Sequence, residues 1–238
     1  MPKHSKRYGA AAEPVEHLQF YDPDTALDMV RSSATAKFDE TVELHVRLNV
    51  DPRQADQQVR GVALLPHGLG KPIRVLVFAQ GEGERLAREA GADFVGSDDL
   101  IERIEGGWIE FDVALATPEI MGRIARLGRV LGRRGLMPSP RGNTVVQPQD
   151  LPRAIDEARK GRVEFRLDRT GIIHSPIGKA SFAAENLKGN LAALVSAITQ
   201  ARPEAVRGQF IRSVTVASSM GPGIRIDPIA AGALQPAD

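Results

Sequence analysis

The sequence contains no cysteine, and this absence excludes several kinds of chemistry. A disulfide framework, a thiol nucleophile and every thiolate metal site are ruled out. The five histidines do not show metal-ligand spacing either; they stand at positions 4, 17, 45, 67 and 174. We therefore expect no metal site.

Long apolar runs and aromatic side chains are also scarce. No apolar run is longer than Val75–Ala79, whereas a membrane-spanning helix needs about 20 residues. No apolar stretch follows the basic N-terminal residues Lys3, Lys6 and Arg7, so we expect no secretory signal, no membrane partner and a cytoplasmic protein. The chain of 238 residues has only 8 Phe, 2 Tyr and 1 Trp. Ring stacking therefore cannot be its main mode of binding.

The chain has almost no net charge, but its basic residues are clustered in some segments. The chain has 31 basic and 30 acidic residues, yet residues 160–238 carry 10 basic against 6 acidic ones. Residues 120–149 contain six arginines and no acid: Arg123, Arg126, Arg129, Arg133, Arg134 and Arg141. Another acid-free stretch between Glu204 and Asp227 holds Arg207, Arg212 and Arg225. Such clusters create a local positive field, which favours an anionic partner over a merely solvated face.

Half-polar strands are predicted near both ends of the chain. Thr41–Val50 alternates strictly between apolar and polar residues, which predicts an antiparallel strand with one buried and one solvated face. Asp22 and Pro23 predict the start of a helix that ends at Ala36. Other predicted strands lie at 59–65, 163–168, 171–174, 210–217 and 223–226, with a helix at 182–201 and a loose tail at 228–238.

The middle of the chain has a different pattern. Strands that are apolar on both faces, at 73–79, 94–95 and 112–116, alternate with helices at 84–90, 98–104, 118–127 and 151–160. This pattern predicts a doubly wound, Rossmann-like parallel sheet. The predicted architecture has two domains: a discontinuous α+β domain with an antiparallel sheet, formed by residues 1–67 and 160–238, and an inserted α/β domain at residues 68–159.

A nucleotide-using enzyme is the main alternative, because doubly wound sheets often bind nucleotides. The loop Gly81–Leu86 has Leu86 where a dinucleotide fingerprint requires glycine or alanine. Gly178-Lys179 resembles a phosphate-binding loop, but Ile173 and Ala180 occupy the positions of its first glycine and its hydroxyl. No glycine-flanked serine nucleophile is present. We therefore expect no enzyme activity and no cofactor.

Three segments are candidates for binding. The first is residues 128–145, GRVLGRRGLMPSPRGNTV, where glycine and proline recur so often that we expect no regular element. It is either a connecting loop or a rigid electropositive loop whose backbone approaches phosphates. The second is residues 213–226, SVTVASSMGPGIRI, either a plain hairpin or a set of hydroxyls suited to RNA sugars and phosphates. The third is residues 37–43, in which Phe38 is either a core residue or a stacking platform.

At these segments the chain resembles the bacterial large-subunit ribosomal protein one family, the proteins of the mobile ribosomal stalk. The resemblance runs from about Lys6 to Asp227 and rests on residues 36–71, GIIHSPIGKASF at 171–182, SSMGPGIRID at 218–227 and the loop LGRRGLMPSPRGNTV. The chain departs from the family pattern at Arg133, Ser139, Arg141, Gly142-Asn143 and Ser219, where the family usually has proline, asparagine, lysine, Thr-Gly and threonine.

The resemblance implies a structural ribosomal protein that binds large-subunit rRNA at the stalk, near the tRNA exit site. It also implies partners: exit-site tRNA, whose release it aids, its own operon mRNA, whose translation it represses, and other ribosomal components. The free protein is expected to be a monomer; a free translational repressor with no ribosomal role is a further alternative. The RNA-binding residues carried over from the family are Lys37, Phe38, Thr41, Glu43, Ser213, Ser219, Met220, Gly221 and Pro222. A secondary set of candidate contacts is His45, Lys179, Arg133, Arg134 and Arg141.

Overall fold

The computed structural model describes residues 5–16 and 18–235, and the backbone alone of Arg141. The strands are β1 (Thr41–Leu48), β2 (Arg60–Leu64), β3 (Val75–Phe78), β4 (Phe94–Gly96), β5 (Val113–Ala116), β6 (Arg162–Arg166), β7 (Ile172–Lys179), β8 (Ile211–Ser218) and β9 (Ile224–Ile226). The α-helices are α1 (Lys6–Ala12), α2 (Pro23–Ser33), α3 (Glu82–Glu89), α4 (Asp98–Glu105), α5 (Met121–Ile124), α6 (Gly128–Leu131), α7 (Leu151–Arg159), α8 (Ala184–Gln200) and α9 (Pro228–Gly232).

The chain divides into two compact units. One combines Met1–Gly70 with Gly161–Asp238, and the other is Lys71–Lys160. The first holds an antiparallel sheet and the second a parallel one. The predicted fold class, a discontinuous α+β part with an inserted doubly wound α/β part, is confirmed. None of the helices within residues 5–16 and 18–235 has the length and apolarity that a membrane crossing requires.

The discontinuous unit is built on a four-stranded sheet in the order β7-β1-β8-β9. The central strand β1 pairs antiparallel with β7 and β8, which lie more than a hundred residues later in the chain. Its even-numbered residues from Val42 to Leu48 are buried, whereas Thr41, Glu43 and His45 are half-buried and Arg47 is exposed. The alternation in the sequence therefore reflects one face against the core and one face towards solvent. We call the solvated side of this sheet the polar face.

Helices α2 and α8 pack on the buried side of the sheet. Asp22 caps α2, because its carboxylate accepts the backbone N–H of Thr25 at 3.0 Å, and Pro23 occupies the first turn. Helix α2 ends at Ser33 rather than at Ala36. Helix α8 contributes Leu187, Leu191, Leu194 and Ile198 to the same core. A separate two-stranded sheet, β2 with β6, completes the unit.

The inserted unit has a three-stranded parallel sheet in the order β4-β3-β5. Alternate residues of β3 enter two different cores: Leu76 and Phe78 pack with α4, and Val75 and Val77 pack with α3 and α7. Both faces are thus covered by helices. This explains why its strands have no polar alternation.

Three local predictions are wrong. Residues 118–134 form neither one helix nor an irregular loop, but a succession of short turns in which 3₁₀ segments alternate with α5 and α6. Strand β7 continues to Lys179, beyond the predicted end at His174, and a register shift at Val42/Glu43 accommodates it. The predicted loose tail contains α9, whose Ala231 is fully buried; residues 236–238 of that prediction lie outside the described residues.

Candidate nucleic-acid interface

The candidate site is built where the start of β1 meets the turn after β8. The hydroxyl Oγ of Ser219 accepts the backbone N–H of Thr41 at 3.1 Å and lies 3.3 Å from the Thr41 carbonyl, to which it donates. The Ser219 N–H also donates to that carbonyl at 3.0 Å. These contacts join two segments that are 178 residues apart. The hydroxyl predicted for recognition thus also holds the turn against β1.

Buried Glu40 holds the segment before β1 and the turn after β8 in position. The residue is 2% exposed, and its carboxylate accepts the Ala36 N–H through Oε1 and the Met220 N–H through Oε2, each at 2.9 Å. Burial by itself would raise the pKa of Glu40, but the Ala36 and Met220 N–H groups, with smaller contributions from Ser218 and Arg7, outweigh it and lower the pKa below its usual value. The charged carboxylate therefore ties residues 36–40 to the turn at Met220.

A lysine and an aspartate position the opposite edge of this junction. The ammonium group of Lys179 donates to the Thr41 hydroxyl at 2.9 Å. Asp39 accepts the backbone N–H of Ser181 at 3.2 Å and its hydroxyl at 2.8 Å. The segment around Lys37 and Phe38 is consequently fixed at its end, at Asp39 and Glu40, while its two side chains extend outward.

The side chains around the junction differ in exposure. Phe38 is 56% exposed and Met220 is 51% exposed, so the core interpretation of Phe38 is wrong. Lys37 is exposed as well. Gly221 lies close against the protein: a Cβ there would be 2.4 Å from the Ser218 hydroxyl oxygen. Pro222 is buried, so it supports the turn from inside and does not reach the surface.

Further along β1, two histidines meet on the polar face. His45 and His174 are opposite one another across the β1–β7 pair, and their Nδ1 atoms are 2.8 Å apart. One nitrogen must donate and the other accept, so both rings cannot be protonated at once.

An acidic side chain lies near each histidine. Glu43 lies 3.9 Å from His45 Nε2, and Asp168 lies 3.4 Å from His174 Nε2. Burial would raise the pKa of Asp168, but hydrogen bonds from Thr170 and Ile172 outweigh it and lower the pKa to about 2.

The histidine pair gives the fold a pH dependence. Desolvation and the neighbouring His174 lower the pKa of His45 from 6.5, although Glu43 opposes them. The unfolded chain therefore binds this proton more readily than the folded chain. The free energy of unfolding should fall as the pH drops below 6.5 and should level off below the folded-state pKa.

The measurement is urea unfolding at a series of pH values, for the wild type and for His45→Gln. The variant should show a shallower dependence across this range. Identical pH dependence in both proteins would contradict the assignment to His45.

The structure does not bring all predicted site residues together. Thr41, Glu43, Ser219, Met220 and Gly221 are neighbours or lie along one strand end. Ser213 faces Arg47 at the other end of β8, six residues before Ser219. Over six residues a strand advances about 20 Å. Ser213 therefore belongs to a separate part of the polar face.

Arg133 and Arg134 lie in the inserted unit, in a 3₁₀ turn that ends at a left-handed Gly135. Both are exposed. The side chain of Arg141 lies outside the described residues. The acid-free stretch is less positive than its sequence implies, because Arg123 pairs with Asp98, and Arg126 pairs with Glu105 at 3.1 Å.

Sequence reasoning missed Glu40. The signal was present: residue 40 has the same parity as Val42, Leu44, Val46 and Leu48, all of which are buried. A carboxylate on the apolar side of a strand has to be satisfied by buried donors. A structural carboxylate could therefore have been predicted there. In the described ranges, 5–16 and 18–235, no group of three His, Asp or Glu side chains could hold a metal ion.

The fold and this surface define a class: a two-unit α/β protein whose discontinuous unit carries a polar face suited to a nucleic-acid ligand. The model of the ribosomal protein L1p/L10e family matches residues 30–222, and the chain belongs to that family. The predicted resemblance is confirmed.

Curated relatives cover nearly the whole chain. A protein of Thermomicrobium roseum called large ribosomal subunit protein uL1 is 57% identical over 228 residues, 95% of this chain and 95% of the relative. A protein of the same name from Chloroflexus aggregans is 54% identical over 97% of this chain and 98% of the relative. Another from Dehalococcoides mccartyi is 51% identical over 98% of this chain and 99% of the relative. These relatives are structural ribosomal proteins rather than enzymes.

Proposed function

We propose that the Thr41–Ser219 junction and the adjoining polar face bind structured rRNA at the stalk of the large ribosomal subunit. Family membership already makes the chain a large-subunit ribosomal protein, located on the ribosome in the bacterial cytoplasm and part of a ribonucleoprotein that acts in translation. RNA binding is typical of such proteins. What is proposed here is the surface and the particular RNA.

The observation that carries the proposal is the junction itself. Two distant segments meet there through the exposed Ser219 hydroxyl, and the half-buried ammonium group of Lys179 and the exposed side chain of Met220 adjoin them. Hydroxyl oxygens held in fixed positions can accept hydrogen bonds from the 2′-OH groups of a folded RNA, and the lysine charge suits its phosphates. Phe38 can add a single stacking contact because its ring is exposed.

Glu43 needs a separate role on this surface because its negative charge repels phosphates. Its carboxylate is 45% exposed on the polar face. We assign it to accept a hydrogen bond from a 2′-OH or a base amine. Lys37 and Lys179 would then neutralise phosphates, while Glu43 would select the RNA shape.

Two further roles are proposed on the likeness to the family. One is aiding the release of deacylated tRNA near the exit site. The other is repression of the chain's own mRNA, which would present a similar RNA shape to the same surface. Arg133 and Arg134 stay candidates for a secondary RNA contact from the inserted unit, because both side chains are exposed.

Replacing Ser219 by valine tests the proposed surface. The substitution removes the hydroxyl that accepts the Thr41 N–H, so binding of RNA would bury an unsatisfied donor, at about 1–3 kcal/mol. The affinity for a stalk rRNA fragment should fall about 5- to 100-fold in a filter-binding titration. A leader fragment of the chain's own mRNA should lose affinity in parallel.

Ser219→Thr is the matched comparison because it keeps the hydroxyl and adds the methyl group. It should retain most of the wild-type affinity. If valine and threonine variants bind both RNAs equally well, Ser219 has no place in the interface. If wild-type protein fails to bind the rRNA fragment, the proposed function itself fails.

A further inference from the structure

We propose a second phosphate-binding site at the far end of the polar face, which we call the arginine hollow. It is a concavity of about 340 Å³ lined by Phe20, Arg47, Arg212, Ser213, Thr215 and Arg225. The proposal of this second site rests on the proposed function and extends it, because the backbone phosphates of the same RNA would occupy the hollow. Of its lining residues, only Ser213 was predicted as an RNA contact.

Strand register places these side chains on one surface. Arg47 of β1 is opposite Ser213 of β8, and Thr215 of β8 is opposite Arg225 of β9. Cross-strand partners have Cβ atoms about 5 Å apart. The two guanidinium groups and the two hydroxyls therefore project from three neighbouring strands towards the same solvent region.

The positive charge of the hollow is not neutralised within residues 5–16 and 18–235. Among the described residues, no carboxylate lies within ion-pair distance of the three guanidinium groups of the hollow, whereas many other arginines pair with carboxylates. Arg212 donates to the side-chain oxygen of Asn49, a neutral acceptor that keeps its charge available. Guanidinium groups bind phosphate through two parallel hydrogen bonds.

A protective role for these arginines explains only part of the arrangement. Charged residues often occur on edge strands, where they prevent pairing with other chains. Arg225 lies on the edge strand β9 and fits that explanation. Arg47 does not, because β1 is a central strand with a partner on each side. Its position favours a ligand over edge protection.

The spacing suits one continuous RNA. Ser213 and Ser219 are the first and last of seven consecutive residues, so the hollow and the Thr41–Ser219 junction lie about 20 Å apart along β8. A continuous RNA helix or loop that contacts the junction can therefore also reach the hollow. Phe20, 54% exposed at the rim, offers an apolar surface to a sugar or a base.

The test combines Arg47→Gln and Arg225→Gln and leaves Arg212 in place because of its contact with Asn49. Filter binding to the stalk rRNA fragment is measured at several KCl concentrations. The double variant should bind about tenfold more weakly, and its plot of log affinity against log salt should be shallower by about one to two units.

Arg166→Gln is the matched control, since Arg166 is an exposed arginine on the separate β2–β6 sheet. It should bind within about twofold of the wild type with an unchanged salt slope. A double variant that behaves like Arg166→Gln, while Ser219→Val still weakens binding, overturns the hollow and leaves the proposed function intact. Loss of RNA binding by the wild type itself would overturn both.

A folding defect is distinguished by the single variant Arg225→Gln on the exposed edge strand. It should keep the wild-type midpoint of thermal unfolding and should show about half of the change in salt slope. An unchanged slope in this variant counts against the hollow as well.

Discussion

Gly161→Ala should lower the free energy of unfolding of the discontinuous unit by about 3 kcal/mol or more. Gly161 has a φ of +101°, a conformation that side-chain-bearing residues rarely adopt. A Cβ there would also stand 2.5 Å from the Cα of Gly68. Because the obstacle is backbone, it cannot rotate away. Differential scanning calorimetry should show a midpoint lower by about 5–12 °C.

Gly208→Ala separates the two causes. Gly208 has a similar φ of +76°, but nothing lies within 4 Å of the position that its Cβ would take. This variant should lose about 1 kcal/mol, from backbone strain alone. Equal losses at the two positions would show that the approach of Gly68 to Gly161 adds no constraint.

Glu40→Gln should weaken both folding and RNA binding. The carboxylate accepts two backbone N–H groups, from Ala36 and Met220, whereas a glutamine offers one oxygen and places an NH₂ group against the other donor. One buried N–H loses its partner, which costs about 1–3 kcal/mol of stability. Since the same bonds position the junction, the affinity for the rRNA fragment should fall about tenfold or more.

Urea unfolding at neutral pH and filter binding measure the two effects. Glu204→Gln makes the same charge change at an exposed loop position and should alter neither quantity appreciably. A second signature is available in acid. The lowered pKa of Glu40 means that its stabilisation is present above pH 4.5 and is lost as the pH falls through the folded-state value. Glu40→Gln should lack that loss.

The four-stranded sheet and the parallel sheet could be predicted because each leaves a local signature. One-sided burial imposes period two on Thr41–Leu48, and two-sided burial makes Val75–Phe78 apolar throughout. Pairing between distant segments leaves no such mark. The separate β2–β6 sheet joins Arg60 to Arg166, and nothing in either segment distinguishes it from a strand of the larger sheet.

Helices α6 and α9 were missed for a different reason. In residues 128–134 the frequent glycines obscured the buried Leu131, which follows Ile124 and Leu127 at helical spacing. At the C-terminus, Asp227-Pro228 repeats the signal of Asp22-Pro23: the Asp227 carboxylate accepts the Ile229 N–H at 2.9 Å and begins α9.

Part of the candidate site could likewise be predicted from local sequence, and part depends on contacts between distant segments. The hydroxyl at Ser219 and the polar alternation around Thr41 are visible in the sequence, and the family resemblance connects them. The sequence does not show that Glu40 accepts a hydrogen bond from Met220, which lies 180 residues later in the chain. The arginine hollow likewise depends on register between β1, β8 and β9, which no single segment encodes.

The pairing of β1 with β7 and β8 has a consequence for biosynthesis. During translation, β1 emerges long before either neighbour, since Thr41 pairs with Lys179 and bonds to Ser219. The inserted unit is contiguous in sequence and can close its own sheet first. The junction forms only after residue 219 has left the exit tunnel, so the nascent chain acquires its proposed affinity for RNA long after β1 has emerged.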